Sequence, residues 1–508
     1  MNLGEWIYKR ALTYPDRPFL KCGNLEYNNR QFNEKVNQMA HALIKLGVKK
    51  GDRVATLMGN SSEFLEIFFA CAKTGMIILP LNFRLVVPEL EYIISDCTPS
   101  VLIYSSDFVT KVEEIKADQD KIKHYLKHRG DELADDLSVV EFASSCPAEE
   151  PVLKEEIAFK DPLLIMYTSG TTGGPKGAML SHENFFFGAI HSMISYGINA
   201  TYKSLVIAPL FHIGALAASA TPIIYAGGSL VIESFDNPSE ISDLIFKEKI
   251  NYIFAVPVMY EMIAKTPRWE KVDFSHVHFF IAGGASMPVP LIRKYQKEKG
   301  IRFAQAYAMT ETLRLTTLDL EDSARKAGSV GKEVFHILLR IVDNDGNDVL
   351  PGEPGEIIVK GPTIFLQYWN KPEETRKAFQ NGWFHTGDMG KRDEEGFLYI
   401  VGRKIDLIIS SGENIYSVEV ERAIESIPQV EEAAAVAMPD PKRGEVVAGF
   451  VLLKKGAGIN ETGLIEALQG KIAHFKIPKK VFFIKDFPRN SAGKILKREL
   501  RARLNPSR

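Results

Sequence analysis

Helical and strand-like patterns alternate along most of the chain, and this alternation most constrains the fold. Between residues 27 and 100 the amphipathic stretch NNRQFNEKVNQMAHALIKLG leads to the apolar run DRVATLM, and SSEFLEIFFACAKTGMIILPL repeats that order. Further apolar runs follow between residues 161 and 330, namely LLIMYT, SLVIA, GSLVIES, NYIFAV, VHFFIAGG and RFAQAYA. Strands that alternate with helices predict a layered α/β fold with parallel strands. Residues 105–160 are charged and irregular, and we interpret them as surface helices and a connector.

The pattern changes after about residue 330, which indicates a second domain. A chain of 508 residues is also too long for one ordinary core. Turn signals in ILLRIVDNDGNDVLPGEPGEIIVKG predict hairpins. From residue 407 a small α+β pattern follows, with helices in SVEVERAIESI and NETGLIEALQGKIAHF and strands in VEEAAAVAMP and VVAGFVLLK. We therefore predict a large N-terminal α/β domain with a β-rich segment (1–402), a hinge (403–406) and a small mobile C-terminal α+β domain (407–508).

Composition excludes several classes of protein. The net charge of −2 gives no basic field for nucleic acid. Four cysteines lie far apart without a CxxC pair, which disfavours a zinc site or a disulfide framework and suits a cytoplasmic protein. The first residues contain acids and no apolar core, so we expect no secretion signal.

Residues 205–232 contain no Asp, Glu, Lys or Arg, and this run is long enough to span a bilayer. It nevertheless includes two prolines and several glycines. We interpret it as strand, loop, buried helix and strand, and we expect no transmembrane segment.

The segment MYTSGTTGGPKGAML (166–180) combines glycines, hydroxyl side chains and one lysine. It follows a strand-like run and precedes the helix-like SHENFFFGAIHSMI, a setting in which backbone N–H groups can surround an anion. Lys176 adds a positive charge. The P-loop pattern fails because Lys176 lies between Pro175 and Gly177, and GxGxxG is absent. A flexible surface loop is the alternative, but the whole string favours a phosphate site.

YTSGTTGGPKG resembles the signature of the acyl-adenylate-forming (AMP-binding) superfamily, which includes acyl-CoA synthetases, firefly-type luciferases and the adenylation domains of peptide synthetases. Six further segments resemble the family's motifs in the family's order, across nearly the whole chain. They are APLFHIGAL (208–216), IAGGAS (281–286), QAYAMTET (305–312), HTGD (385–388), GRKID (402–406) and PRNSAGKI (488–495).

The resemblance implies a site for ATP and Mg²⁺. Lys494 is the catalytic lysine, Thr310 contacts phosphate and Glu311 holds the metal. Tyr307 stacks on adenine, and Asp388 accepts hydrogen bonds from the ribose. The ATP-binding residues implied in this way are Thr168, Ser169, Gly170, Thr171, Thr172, Lys176, Gly283, Gly284, Ala285, Tyr307, Asp388 and Arg403.

The resemblance also implies an acyl pocket and an entrance for coenzyme A. The acyl-pocket positions are His191, His212, Ala308, Leu313 and Arg314, and the entrance positions are Ser411, Gly412 and Glu413. Ala308 stands where the family usually has glycine, so its methyl group should narrow the pocket. SSGENIYSVEVE (410–421) and PDPKRGE (439–445) resemble the loops that line the thiol entrance of CoA ligases.

Arg314 leaves two possibilities open for the acid. If it points inward, it can pair with a distal carboxylate or polar group. If it turns to the surface, or pairs with Glu311 or another acid, it says nothing about the substrate. Together with His191 it favours a small or polar-ended acid over a purely alkyl chain, although medium-chain and aromatic acids stay open.

The activity implied is that of an acyl-CoA synthetase, which forms acyl-AMP and pyrophosphate from an acid and ATP and then transfers the acyl group to coenzyme A. Lys494 would offset the charge of two approaching anions. In the family the small domain then rotates about a hinge position that is usually Asp or Lys. Here it is Ile405, whose β-branched side chain restricts the backbone. Rotation of the small domain about this position is therefore a hypothesis separate from adenylation.

Three alternatives differ in activity. A stand-alone adenylation enzyme would load a carrier-protein thiol, a luciferase-like enzyme would oxidise the adenylate, and a regulator would bind nucleotide at a silent site. The intact set of charged motif residues disfavours the silent site.

The partners that we expect are a small carboxylic acid, ATP, coenzyme A and a second copy of the chain in a homodimer. Peripheral contact with a membrane stays open for a lipid substrate.

Overall fold

The chain was analysed in a computed structural model that describes residues 2–118, 122–128, 136–168, 175–285, 287–410, 413–490 and 493–504. Its contacts divide into two compact units, residues 1–339 with 359–384, and residues 340–358 with 385–508. This division does not locate the point about which the chain bends, so the hinge at 403–406 stays a prediction.

The first part of the chain alternates strands and helices. Residues 105–160 were expected to hold only helices and a connector, but β6 and β7 add two strands there because the short runs HYLK and LS pair in parallel beside β5. The elements are α1 (Gly4–Thr13), β1 (Pro18–Cys22), β2 (Leu25–Asn28), α2 (Asn29–Lys45), β3 (Arg53–Leu57), α3 (Ser62–Thr74), β4 (Ile77–Pro80), α4 (Val87–Cys97), β5 (Val101–Tyr104), α5 (Val109–Asp118), β6 (His124–Lys127), β7 (Leu137–Ser138), α6 (Val139–Ser144) and β8 (Pro162–Thr168).

The alternation continues to residue 333. The uncharged run 205–232 forms a strand, a π-helical segment (Ala215–Ala220), a helix and a strand, as its sequence predicts. Among the described residues no helix is long and apolar enough to cross a membrane. The elements are β9 (Lys176–Ser181), α7 (His182–Tyr196), β10 (Lys203–Val206), α8 (Thr221–Ala226), β11 (Ser229–Ile232), α9 (Pro238–Lys247), β12 (Tyr252–Ala255), α10 (Pro257–Ala264), β13 (Phe279–Ala282), α11 (Val289–Lys299), β14 (Phe303–Met309), β15 (Leu313–Leu318) and β16 (Lys332–Glu333).

Most neighbouring strands in the two sheets of the first unit run parallel, which confirms the predicted α/β class. One sheet has the order β16-β15-β14-β13-β12-β10-β11-β1-β2 among the described strands. Helix α7 contacts β9 of the other sheet and β15 of this one, so it places its side chains beside both.

Local signals set several element ends. Ser61 caps α3 by accepting a hydrogen bond from the Phe64 N–H at 3.2 Å, and Gly75 ends the helix at φ 71°. Apolar side chains of β3, β4 and β5 pack with those of α4 and α5 in one buried cluster. Polar caps and apolar runs together therefore fix this layer.

The remaining elements begin with β17 (Leu338–Val342), β18 (Gly355–Lys360), β19 (Gln367–Tyr368), α12 (Pro372–Ala378), β20 (Phe379–Gln380), β21 (Trp383–Arg392) and β22 (Leu398–Arg403). Strand β19 pairs with β9, so the second sheet of the first unit has the order β19-β9-β8-β4-β3-β5-β6-β7 in the described part of the chain. Strands β17, β18, β21 and β20 are hydrogen-bonded in that order, with β22 beside β21.

The chain ends in a small α+β region, as predicted. Its sheet has the order β24-β23-β26-β25, with β27 beside β26. The predicted helix over 460–475 is too long, because α14 stops at Leu468, where the chain turns through Gly470 at φ 78°. The elements are β23 (Leu407–Ser410), β24 (Glu413–Tyr416), α13 (Ser417–Glu425), β25 (Val430–Asp440), β26 (Gly444–Leu453), α14 (Glu461–Leu468), β27 (Lys480–Phe483) and α15 (Lys497–Leu504).

Candidate active site

The glycine-rich segment joins two antiparallel strands. Thr168 at the end of β8 faces Lys176 at the start of β9. The predicted sequence of strand, loop and helix is wrong at this point, because the buried residues 177–181 continue the sheet and α7 begins only at His182. The predicted phosphate contacts Ser169, Gly170, Thr171 and Thr172 lie outside the described residues.

One tyrosine connects Lys176 with Glu311. The Tyr368 hydroxyl donates a hydrogen bond to Glu311 Oε1 at 3.1 Å, and Lys176 Nζ lies 5.3 Å from the centroid of the Tyr368 ring. The main chain adds a contact, since the Phe365 N–H donates to the Glu311 carbonyl at 2.8 Å. Burial, followed by the Glu311 carboxylate, raises the pKa of Tyr368, so its hydroxyl keeps its proton. The structure thus brings together two predicted site residues that are far apart in sequence.

Sequence analysis missed Tyr368. It lies on the two-residue strand β19, opposite Ala178 of β9, and this pairing carries the tyrosine to Glu311. A strand this short leaves no periodic pattern, so the sequence contained no signal for its position.

The predicted adenine contacts lie at the carboxyl ends of parallel strands. Gly283, Gly284 and Ala285 follow β13, and Tyr307 lies on β14 before the turn that holds Thr310. A Cβ at Gly283 would come within 2.7 Å of the Phe254 ring, and Gly284 has φ 79°. In open α/β sheets ligands bind outside such strand ends, which fits the predicted site. The individual contacts stay predictions.

Asn60 holds the segment that carries His212. Its side chain accepts from the Leu210 N–H at 2.8 Å and donates to the Ala208 carbonyl at 3.0 Å. Burial, followed by the nearby Arg84, lowers the pKa of His212 to about 4, so the imidazole is neutral at pH 7. Sequence analysis missed Asn60, which comes from the loop after β3.

A second neutral histidine lies on α7. His191 Nε2 is 3.0 Å from Nδ1 of His336, and the two rings stack with centroids 5.1 Å apart. Burial lowers the pKa of His191 to about 3, and His336 and Arg314 add to this shift. Sequence analysis did not identify His336, which lies in the turn after β16.

Arg314 faces the interior of the first unit, which excludes the possibility that it turns to the surface. It is 6% exposed, so it does not turn to the surface. Its guanidinium carbon lies 4.4 Å from the centroid of the Tyr196 ring. Within the described ranges, Glu311 and the other acidic side chains form no ion pair with it. On the opposite strand the Cα of Ala308 faces that of Arg314, and the preceding Leu313 is buried.

Three predicted residues meet in the second unit. Arg403 Nε lies 3.3 Å from Asp388 Oδ1 across the pair β21–β22. Although the Lys494 side chain reaches solvent, desolvation and then the Arg403 guanidinium lower its pKa, while Asp388 and Asp406 act in the opposite direction. The charges of Arg403 and Asp388 therefore both act on the Lys494 ammonium group.

Lys494 lies in a turn that precedes the last helix. Asn490 closes a turn around it, because the Lys494 N–H donates to Asn490 Oδ1 at 2.8 Å and the Asn490 N–H donates to the Lys494 carbonyl at 2.9 Å. Gly493, at φ 82°, makes this turn possible, and α15 begins only at Lys497.

The strand that holds Asp388 is anchored by a buried carboxylate. Glu356 lies 2.8 Å from Lys404 Nζ and 3.2 Å from His385 Nδ1. Burial raises the pKa of Glu356, but Lys404 and His385 outweigh it and lower the pKa overall. The Thr386 hydroxyl accepts from the Asp388 N–H at 3.1 Å. These contacts fix the backbone on either side of Asp388.

The predicted hinge forms a short 3₁₀ turn, Lys404–Asp406. Ile405 is 45% exposed, and its carbonyl accepts from Arg501 Nη2 at 3.3 Å. Arg501 also pairs with Asp406. Of the predicted entrance residues, Glu413 begins β24 and is exposed, whereas Ser411 and Gly412 lie outside the described residues.

Comparisons with known proteins cover both parts of the chain. The model of the AMP-binding enzyme family matches residues 7–369, and that of the AMP-binding enzyme C-terminal domain matches residues 419–494. The chain is 36% identical over 503 residues to a feruloyl-CoA synthase of an Amycolatopsis species, with 99% of each chain covered. It is 38% identical over 507 residues to a long-chain-fatty-acid–CoA ligase of Mycobacterium tuberculosis, with 98% of each covered.

A solved structure agrees with these relatives. ATP-bound MatB of Rhodopseudomonas palustris superimposes with a TM-score of 0.91 at 30% identity, and the match covers 100% of each chain. The chain therefore belongs to the AMP-binding enzyme family, in its acyl-CoA synthetase branch.

Proposed function

We propose that Lys494, Asp388 and Arg403 carry the adenylation step of this acyl-CoA synthetase. The observation that supports this is their meeting in one unit, although they come from three separate motifs. Asp388 would accept from the ribose hydroxyls, and Arg403 would contact ribose and phosphate. Lys494 would bridge the acid and the α-phosphate.

The charges explain why a lysine is needed. The substrate carboxylate attacks the α-phosphorus of ATP, the bond to the β-phosphate oxygen breaks, and acyl-AMP and pyrophosphate form. An anion approaches a polyanion in this step, so a cation at the new bond lowers the barrier. We assign Lys176 and the hydroxyl-rich segment 168–172 to the β- and γ-phosphates.

Glu311 fits the metal, because Mg²⁺ is bound through one or two carboxylates together with phosphate oxygens. When bound, Mg²⁺ neutralises part of the phosphate charge. Tyr368 would orient the Glu311 carboxylate through its hydrogen bond. We assign Thr310 to a phosphate contact and Tyr307, with residues 283–285, to adenine.

In the second step the thiol of coenzyme A attacks the acyl-AMP and releases AMP. We propose that Ser411, Gly412 and Glu413 line the entrance for the thiol. We also propose a large domain over 1–402, a hinge at 403–406 and a small mobile domain over 407–508, with rotation about Ile405 between the two steps.

Half-reaction assays of Lys494→Ala test the assignment. Exchange of labelled pyrophosphate into ATP, with a panel of carboxylic acids, should fall by about 10²–10³-fold, since one charged group at the transition state is lost. Transfer from synthetic acyl-AMP to coenzyme A should continue. Lys485→Ala is the matched control, because Lys485 is an exposed lysine in the same part of the chain. Undiminished exchange by the Lys494 variant contradicts the assignment.

Ile405→Asp tests the hinge. Because it replaces an apolar β-branched residue at the proposed pivot, it should change the thioesterification rate more than the adenylation rate. Equal changes in both half-reactions contradict a pivot at Ile405.

The named relatives leave the acid undecided, because one is a feruloyl-CoA synthase and another a long-chain-fatty-acid–CoA ligase. We propose a small or polar-ended acid, on the basis of the buried His191 and Arg314. We further propose that His212, Ala308 and Leu313 line the acyl pocket and that the enzyme acts in the cytoplasm as a homodimer. Light scattering after size-exclusion chromatography tests the homodimer.

A further inference from the structure

The buried guanidinium of Arg314 lacks a complete set of partners. Its Nη1 atom is fully buried and has no hydrogen-bond partner among the residues that the structure describes. The contact to the Tyr196 ring engages the face of the guanidinium and leaves Nη1 without an acceptor. An ionised group in the protein interior is costly unless an opposite charge and hydrogen bonds compensate it.

The surrounding side chains are neutral. Tyr252 lies beside Arg314, but its hydroxyl donates to the Ala218 carbonyl at 2.6 Å, and burial raises its pKa, so it carries no charge. His191 is neutral at pH 7 as well. No carboxylate in the described parts of the chain therefore compensates Arg314.

Further polar atoms around Arg314 also lack partners within the described ranges. Tyr196 Oη and His191 Nδ1 on α7 and Ser219 Oγ on the π-helical segment are all buried without a hydrogen bond. The adjacent Ala218 accepts the hydrogen bond from Tyr252, so the backbone of this segment contacts a neighbour of Arg314. π-Helical turns occur frequently at functional sites. A buried cation surrounded by polar atoms that lack hydrogen-bond partners is the arrangement expected of an anion-binding site.

The backbone fixes the position of the cation. A register shift in the pairing of β14 with β15 places Arg314 opposite Ala308, and Leu313 before it has φ 52°. Gly188 on α7 lies so close to Leu313 that a Cβ there would come within 2.9 Å of its Cδ1. The arginine is therefore held on a rigid strand against a closely packed helix.

We propose that Arg314 binds a second carboxylate of the acid substrate, so that the enzyme activates one end of a dicarboxylic acid and holds the other. The planar guanidinium suits the two oxygens of a carboxylate. This inference rests on the proposed function and names its substrate class. The bound carboxylate takes no part in the reaction, so the product is a monothioester that keeps one ionised carboxyl group.

Matched substrates test the proposal on the unmodified enzyme. Pyrophosphate exchange is measured with straight-chain dicarboxylic acids from malonic to suberic acid, with the benzenedicarboxylic acids, and with the monomethyl ester of each. The ester keeps the size and one carboxylate but removes the distal charge. The best diacid should exceed its ester in kcat/KM by about 100-fold or more, because a buried site for a polar group rejects an analogue that lacks it.

Variants of Arg314 link this preference to the residue. In Arg314→Gln the KM of the best diacid should rise by about 100-fold with little change in kcat, since the lost contact lies away from the reacting atoms. The KM of the ester should change little. Arg314→Lys should recover part of the preference, and guanidinium ion should restore diacid binding to Arg314→Ala. Arg268→Ala is the control, because Arg268 is exposed and paired with Asp243.

The outcomes separate this proposal from the proposed function. If no acid supports exchange, the proposed function fails. If monocarboxylic acids and esters support exchange as well as diacids do, adenylation stands and the dicarboxylate site is overturned. The same holds if the Arg314 variants keep the preference for diacids. Should none of the variants fold, the comparison of diacid with ester on the unmodified enzyme still decides.

Discussion

Two buried cations of the first unit differ in how completely the protein surrounds them. Lys73 on α3 has a side chain that is 4% exposed, and its Nζ contacts Asn33 Oδ1 and Asn37 Oδ1, each at 2.7 Å, and Glu150 Oε2 at 2.5 Å. Arg314 is 6% exposed and forms no ion pair within the described residues. A cation with a complete internal set of acceptors stabilises the fold, whereas one that lacks them indicates an external anion.

The Lys73 ammonium group has acceptors from three side chains, of which only Glu150 reaches solvent. The two asparagines lie one turn apart on α2, and their amide groups also donate to Glu150 Oε1 at 2.7 and 3.0 Å. Burial lowers the pKa of Lys73 and Glu150 opposes this shift, so the lysine depends on its carboxylate partner. The network ties the segment around residue 150 to α2 and α3, and nothing in it points to a ligand.

The largest effect on stability is expected for Lys73→Met. Removing the cation leaves the buried Asn33 and Asn37 oxygens without their donor, while water can replace it at the 37% exposed Glu150 side chain. The free energy of unfolding should therefore fall by about 2 kcal/mol, while the KM values for acid and ATP should not change. Urea unfolding followed by tryptophan fluorescence measures this change, because all four tryptophans belong to the first unit.

Lys9→Met is the control for that measurement, since Lys9 is exposed on α1. An unchanged unfolding midpoint in Lys73→Met would remove the distinction between the two cations, because the Lys73 network would then contribute nothing to stability.

The second-largest expected effect concerns the dependence of exchange on Mg²⁺, through Glu311. This residue is 7% exposed and accepts a hydrogen bond from Tyr368. Tyr368→Phe should raise the Mg²⁺ concentration for half-maximal exchange by about tenfold, because a group that orients a metal ligand is lost. Magnesium titrations of the exchange rate measure this, with Tyr14→Phe as an exposed control. An unchanged magnesium dependence would show that Tyr368 does not position Glu311.

Arg314→Met provides the opposite test to Lys73→Met. Because methionine removes an uncompensated charge and fills similar space, the free energy of unfolding should rise by about 1 kcal/mol. The preferred diacid should raise the thermal midpoint of the unmodified enzyme but not that of the variant. Arg268→Met is the exposed control. A loss of stability comparable to that of Lys73→Met would mean that Arg314 has internal partners after all.

The sequence was sufficient to predict the parts of the fold that depend on local patterns of apolar residues. Apolar runs between amphipathic stretches located β3, β4, β10 and β12, because a buried parallel strand needs such a run on both faces. Motif order predicted roles for Glu311 and Lys494, and these roles stay predictions. The run KGAMLS was not predicted as a strand, because a short apolar stretch has no clear period, and only its pairing with β8 shows that it belongs to the sheet.

The sequence did not predict the contacts made by residues in turns and short strands. Tyr368 reaches Glu311 from a two-residue strand, and His336 reaches His191 from a turn. Neither type of segment has a periodic pattern, so nothing in the sequence specifies which side chain it meets. The burial of Arg314 was undecidable for the same reason, because it depends on the packing of α7 against β15.

The smallest expected effect extends the comparison to the second unit. There it concerns carboxylates with and without a cationic partner. Glu421 pairs with Lys497 at 2.6 Å and Glu432 pairs with Arg489, whereas Glu425 accepts only a 3.3 Å hydrogen bond from the Ala433 N–H among its described contacts. Burial, and then the neighbouring Glu421 and Glu432 charges, raise the pKa of Glu425 to about 7.

The folded state therefore holds this proton more tightly than the unfolded state, so stability falls as pH rises from about 4.5 through 7. Glu425→Gln removes that dependence, and the variant should gain stability relative to the unmodified enzyme at pH 8 but not at pH 5. The gain should stay below about 1 kcal/mol, because solvent reaches the carboxylate and screens it. Thermal midpoints at both pH values measure this difference, with Glu466→Gln on the exposed face of α14 as control. If the two variants respond alike to pH, a carboxylate without a cationic partner costs this unit nothing.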